Sequence, residues 1–343
     1  MKSVPRSAFL FVALFVSGLF FAEGALAAEK TKSKQVAQKS KITPVAKRAA
    51  VRPVVKQQRH RASNSVTAAG EKSEVQRLAV KSASALVAYQ NGGDPLFQKN
   101  AEAVAPIASI SKLMTAMVVI DGAPDLKEQI TISSEDVDYL RGSRSRLVVG
   151  ASMTRETALL LALMSSENRA ANALGRHYPG GLSAFVAAMN AKARSLGMQD
   201  THFEDPTGLS SHNVSTAHDL VRMVEAAYRY PLIRELSTTA EATVHVAGRE
   251  MAYRNTNPLV KSSSWDVGLS KTGYIHEAGK CLVMQARVAD RPVVIVLLDS
   301  VGKQTRIGDA NRIKRWMESL QATNRLPMRE LFSRTNAPTY SGS

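Results

Sequence analysis

Strand-like sequence at both ends, with helical sequence between, is the strongest constraint on how this chain can fold. Near the start, Ala83 to Gln90 reads as a strand. Asn91-Gly92-Gly93-Asp94 is a turn signal, and Leu96-Phe97-Gln98 can return as the partner strand. Near the end, Leu269-Ser270-Lys271-Thr272, Cys281 to Val288 and Val293 to Leu298 read as strands, the last nearly all β-branched or Leu. Asp290-Arg291-Pro292 is the expected hairpin turn between the last two. Residues 152 to 230 are mainly helical by spacing. Leu159, Leu160, Leu163 and Met164 form one stripe, and Phe185, Met189, Ala193 and Leu196 form another, closed by Gly197. A final helix is expected over Ile307 to Leu320, with Ile313, Trp316, Met317 and Leu320 inward. The fold class that follows is mixed α/β: one antiparallel sheet built from both ends and flanked by helices, plus a helical lobe from the middle. A cleft between the two is the natural place for a site.

Charge is the second constraint, and its location explains it. The net charge is +16. From Ala28 to Arg61 there are eleven Lys or Arg against the single acid Glu29, so this segment supplies +10. It lacks Phe, Trp and Tyr, has no helix or strand period and is interrupted by Pro44 and Pro53, which predicts a disordered linker over 28–74. A solvated spacer and an electrostatic tether to anionic envelope polymers or lipid headgroups both fit it. Before it, Lys2 and Arg6 precede an apolar run from Ala8 to Ala22 and the small-residue pattern Ala25-Leu26-Ala27-Ala28. That order predicts a secretory signal peptide over 1–27, cleaved after Ala27, and hence an exported, periplasmic protein. Export makes nucleic acid an unsuitable partner for the charge. The expected catalytic domain is 75–322, followed by a frayed tail over 323–343.

Three short motifs carry chemistry. Ser109-Ile110-Ser111-Lys112 opens a segment whose apolar residues, Leu113, Met114, Met117, Val118 and Ile120, predict a buried helix starting near Ala108. Residues three apart share a helix face, so the Ser109 hydroxyl and the Lys112 amine can meet. Serine needs a base, and a lysine serves if burial and a nearby cation lower its pKa. Ser166-Glu167-Asn168 offers a hydroxyl to relay a proton and an amide to hold a peptide backbone. Lys271-Thr272-Gly273 lies on a predicted strand. Its Lys and Thr can bind a carboxylate, and its Gly lets a substrate backbone approach. The backbone N–H groups of Ser109 and Tyr274 are candidate oxyanion donors. Ser300-Val301-Gly302-Lys303 and Ser211-His212-Asn213 match two of the motifs a second time and read as coincidences. Each motif alone is weak, but the three in this order match the penicillin-interacting serine enzymes.

The flanking text narrows the resemblance. Pro106 to Ala116 resembles the active-site helix of the low-molecular-mass D-alanyl-D-alanine peptidases. Met164 to Ala171, His177 to Gly181, Asp205 to Leu209, His212 to Ala217 and Lys271 to Met284 resemble their D-alanyl-D-alanine endopeptidase branch, the penicillin-binding protein 7 type. The likeness covers about Val75 to Leu320. It implies a two-lobed penicillin-binding, β-lactamase-like transpeptidase fold and an acyl-enzyme on Ser109. It implies cleavage of D-Ala to diaminopimelate cross-links in peptidoglycan, with β-lactams as covalent inhibitors. It also implies that an Arg binds the substrate's carboxylate, and Arg306 is the candidate. A carboxypeptidase trimming pentapeptides, a β-lactamase and a non-catalytic cell-wall-binding protein are the competing readings. No cofactor and no metal site is expected: the histidines have no zinc-protease spacing, and the one cysteine, Cys281, reads as a packed, inert thiol in a strand.

Overall fold

A computed structural model describes residues 78–90, 92–302 and 304–322. The expected signal peptide, basic linker and tail lie outside the described residues, as does Lys303 of the second S-x-x-K match. The first strands of the described residues are β1 (Ser84–Tyr89), β2 (Phe97–Lys99) and β3 (Ala105–Pro106). One 3₁₀ turn, Ala108–Ser111, then leads into α1 (Lys112–Asp121). The middle holds β4 (Gln129–Thr131), β5 (Ser152–Thr154), α2 (Arg155–Met164), α3 (Asn168–Arg176) and α4 (Gly181–Ser195). It continues with β6 (Val214–Ser215), α5 (Ala217–Tyr228) and α6 (Pro231–Thr238). The hairpin β7 (Glu241–Val246) and β8 (Arg249–Arg254) precedes β9 (Asp266–Ile275), β10 (Gly279–Val288), β11 (Arg291–Ser300) and α7 (Thr305–Ala322).

The main sheet has the order β2-β1-β11-β10-β9, antiparallel throughout. The first and last strands meet where β1 pairs with β11, Leu86 opposite Val296. Side chains alternate across a strand, so the apolar run Val293–Leu298 feeds both faces. Val294, Val296 and Leu298 join the core shared with the helical lobe, while Val293, Ile295 and Leu297 pack beneath Ile313 and Met317 of α7. Burial on both faces is why these strands read as continuous apolar runs instead of alternating ones. No described helix is long and apolar enough to cross a membrane.

Three expectations shift in detail. The turn between β10 and β11 is Ala289-Asp290, one residue earlier than Asp290-Arg291-Pro292. Both residues have positive φ, 51° and 57°, as a tight primed hairpin turn demands. Pro292 sits inside the start of β11, opposite Arg287. The nucleophile helix opens with a 3₁₀ turn, not a full α-turn, and the last helix is longer than expected, with Trp316 and Leu320 only partly buried. Left-handed backbone is strained for Ala289, so replacing Ala289-Asp290 by Asn-Gly is expected to raise unfolding stability by about 1 kcal/mol. A denaturant midpoint that fails to rise would contradict the turn assignment.

Candidate active site

The 3₁₀ turn decides how Ser109 and Lys112 meet. At three residues per turn, positions i and i+3 eclipse, which stacks Lys112 over Ser109. Lys112 Nζ lies 2.9 Å from Ser109 Oγ. Ala108, just before the serine, is buried with φ of 49°, a strained conformation that costs about 1 kcal/mol or more. It sharpens the bend that leaves Ser109 half-exposed while Ile110 and Lys112 go inward.

Lys112 is fully buried, at 0 % exposure, and has two further partners: Asn168 Oδ1 at 2.8 Å and the Thr207 carbonyl at 2.6 Å. A protonated amine donates to all three. A neutral amine has two N–H donors and one lone pair. The Asn168 oxygen and the Thr207 carbonyl can only accept, so they take both donors, and the lone pair is left for the Ser109 hydroxyl. Burial lowers the Lys112 pKa to about 7, against an opposing pull from the charges of Asp205 and Glu167. A substantial neutral fraction is therefore present near neutral pH.

The second motif sits where α2 ends and α3 begins. Ser166 itself has φ of 64°. Its Oγ accepts from Lys271 Nζ at 2.9 Å, and that amine also donates to the Thr272 carbonyl at 3.0 Å. Lys271 is 1 % exposed, and burial first, then the charges of Lys112 and Arg306, hold its pKa well below the usual lysine range. Asn168 is locked from its other end, its Nδ2 donating to Ser143 Oγ at 3.0 Å. Thr272 Oγ1 donates to Thr256 Oγ1 at 2.7 Å.

The third motif approaches the first through missing atoms. A Cβ on Gly273 would stand 2.8 Å from the Ile107 carbonyl oxygen and 3.2 Å from the Ser109 backbone nitrogen. Only glycine lets β9 lie this close to Ser109. Tyr274 is next on that strand, exposed, with the Lys280 amine 3.1 Å from its ring centre. Arg306 lies beside the same strand, its Nη1 donating to the Gly273 carbonyl at 3.1 Å and the Cys281 carbonyl at 2.9 Å. These bonds tie α7 to β9 and β10.

The structure thus brings Ser109, Lys112, Ser166, Asn168, Lys271, Thr272 and Gly273 together, with Tyr274 and Arg306 alongside. Sequence reasoning missed the Thr207 carbonyl, Ser143 and Thr256. One signal for the first was available: Asp205-Pro206-Thr207-Gly208 is an Asx-turn pattern. The Asp205 carboxylate accepts from the backbone N–H groups of Thr207, Gly208 and Ser210. Asn213, part of the second S-x-N match, is a buried brace of this loop: it accepts from the N–H groups of Glu204 and Asp205 and donates to Ser111 Oγ. Ser300 of the second S-x-x-K match is buried against Ser82. Cys281 is buried, and burial pushes its thiol up to about 11. Among the described residues no His, Cys, Asp and Glu cluster is arranged to hold a metal ion.

A hydroxyl stacked on a buried amine, beside a strand able to present backbone donors, defines a serine hydrolase working through an acyl-enzyme. The sequence profile of the Peptidase S11 family, D-alanyl-D-alanine carboxypeptidase, matches residues 70–302, and the chain belongs to that family. The D-alanyl-D-alanine endopeptidase of Pseudomonas aeruginosa is 50 % identical over 71 % of this chain and 79 % of its own. That of Escherichia coli is 47 % identical over 70 % of this chain and 78 % of its own. Among solved structures, the Streptomyces K15 DD-transpeptidase aligns with a TM-score of 0.66 at 28 % identity, covering 70 % of this chain and 98 % of its own.

Proposed function

We propose that the protein is a periplasmic D,D-endopeptidase that cuts the D-Ala to diaminopimelate cross-links of peptidoglycan. The observation that carries the chemistry is the Lys112 amine, whose two other partners are pure acceptors and so leave its lone pair for Ser109. Ser109 attacks the D-alanyl carbonyl as Lys112 takes its proton, and the amine of the second stem leaves. Ser166, held by Lys271, relays that proton from Lys112 to the departing amine, which leaves Lys112 neutral again. The N–H groups of Ser109 and Tyr274 stabilise the oxyanion, and Asn168 aligns the peptide. Lys271, Thr272 and the neighbouring Arg306 supply the positive field for a substrate carboxylate. Water then attacks the acyl-enzyme, and β-lactams trap it. The endopeptidase choice rests on the relatives at 47–50 % identity, both bearing that name. The leader at 1–27 would deliver the enzyme to its substrate, and the basic segment at 28–61 would hold it on anionic envelope polymers or lipids.

The test is a digest of purified cross-linked muropeptide dimers and pentapeptide monomers, with Ser109→Ala alongside, followed by mass spectrometry. Conversion of dimers to monomers only with Ser109 present is the expected result. Loss of one D-Ala from pentapeptides with dimers untouched would make it a carboxypeptidase instead.

A further inference from the structure

The chemistry above leaves unused a cavity on the far side of the Ser166 turn. Ser165 and Glu167, which flank Ser166, line a space of about 460 Å³ together with Arg144, Arg146, Tyr253 and Arg254. Three guanidiniums face one carboxylate there. Glu167 offsets one of the three charges and pairs directly with none of them. Its oxygens are taken up by Ser145 Oγ at 2.9 Å, and among the described residues it forms no ion pair. Arg144 is exposed and has no hydrogen-bond or ion-pair partner among the described residues. Arg146 stacks over the Tyr253 ring at 3.7 Å and donates to the Ala252 carbonyl, again without an acid. Arg254 meets Glu241 only at 3.7 Å, and Glu241 has a nearer cation in Lys261 at 2.8 Å.

A second observation points to a missing acceptor. Tyr253 is 3 % exposed, and its hydroxyl has only the Arg146 guanidinium, a donor, beside it and no acceptor for its own proton. Burial, then the Glu167 charge, raises its pKa, which keeps the hydroxyl protonated and a donor. A buried donor left unpaired destabilises the fold unless something supplies the acceptor. The other end of the same turn has the opposite sign: the cleft of about 570 Å³ that Asn168 lines carries Glu135, Asp138, Glu204 and Glu277 against Arg141. An anionic group is repelled from that end and attracted to the arginine end.

We infer that the Arg144, Arg146 and Arg254 cavity is a binding subsite for a free carboxylate of the peptidoglycan stem peptide. This rests on the proposed function. The stem offers two sources, the α-carboxylate left free by the γ-linked D-glutamate and the free carboxylate of diaminopimelate. The planar guanidinium fork suits either.

The test is calorimetric binding to the Ser109→Ala protein, which turns nothing over. Three tetrapeptide stems are compared: one with all carboxylates free, one amidated at the glutamyl carboxylate and one amidated at the diaminopimelyl carboxylate. At least one amidation is expected to weaken binding about ten-fold, the loss of one charge-assisted contact, and identifies the carboxylate. Adding Arg144→Gln and Arg146→Gln is expected to erase that difference. Arg144→Gln alone, which breaks no contact within the fold, should remove about half of it on a logarithmic scale. Equal binding of all three stems, or equal weakening of all three by the arginine variants, would overturn the subsite. Failure of the wild-type protein to cut D-alanyl bonds, with the charge preference intact, would instead sink the proposed function and leave the subsite standing.

Discussion

Lys112→Ala is expected to slow acylation of Ser109 by a fluorescent penicillin by at least about 10³-fold while the protein stays folded. Among the described residues Lys112 is the base hydrogen-bonded to the serine, and alanine removes it. Lys112→Arg should lose as much, because a guanidinium stays protonated and has no lone pair to offer. The same lone pair sets a pH profile. Lys112 works when neutral, so wild-type acylation should rise with pH through about 7 and level off above it. The residual rate of either variant should lack that step. A Lys112→Ala protein that labels at the wild-type rate would remove the base assignment, and an unfolding trace recorded beside it separates lost chemistry from lost fold.

Gly273→Ala is expected to reduce acylation about 10²-fold without unfolding the protein. The new methyl group would meet the Ile107 carbonyl at 2.8 Å and Ala108 Cβ at 3.1 Å. Both belong to the turn that carries Ser109, so β9 must back away from the serine. Strand and serine then no longer share the spacing that an oxyanion pocket between Ser109 N–H and Tyr274 N–H requires. Unlike loss of the base, this loss should leave the pH midpoint in place. Gly208→Ala makes a useful contrast. There φ is +78°, and a Cβ would stand 1.9 Å from the Ala108 carbonyl oxygen. Backbone on both sides leaves nothing to move, so that variant is expected to lose about 3 kcal/mol or more and to yield little folded protein. Gly273→Ala labelling at the wild-type rate would show that β9 does not set the serine's geometry.

The parts of the site legible in the sequence are those held by local geometry. Ser109 and Lys112 are three residues apart on one turn, so their meeting needs no knowledge of the rest. The Lys271–Gly273 strand was legible in part: Leu269-Ser270-Lys271-Thr272 reads as a strand, and the structure extends it to Asp266–Ile275. Its neighbours are a different matter. The Thr207 oxygen that holds Lys112 is a backbone carbonyl, and a carbonyl has no residue signature; it lies 95 positions away. Ser143 and Thr256 are common residues on loops, chosen only by where the loops pass. The β10–β11 turn was misplaced by one residue because proline usually marks a turn. Here the ladder tolerates it at the start of a strand, and the turn itself needs positive φ at Ala289 and Asp290.

By itself the sequence determined a helical middle flanked by strands, the serine with its lysine, and the reaction class, because periodicity and short motifs are local properties of the chain. Tertiary structure alone decided that Lys112 is dry enough for a pKa near 7, that Lys271 reaches Ser166 across 105 positions, and that three arginines from two distant segments ring one cavity. Burial and long-range contact depend on how every element packs at once, and no window of sequence contains that information.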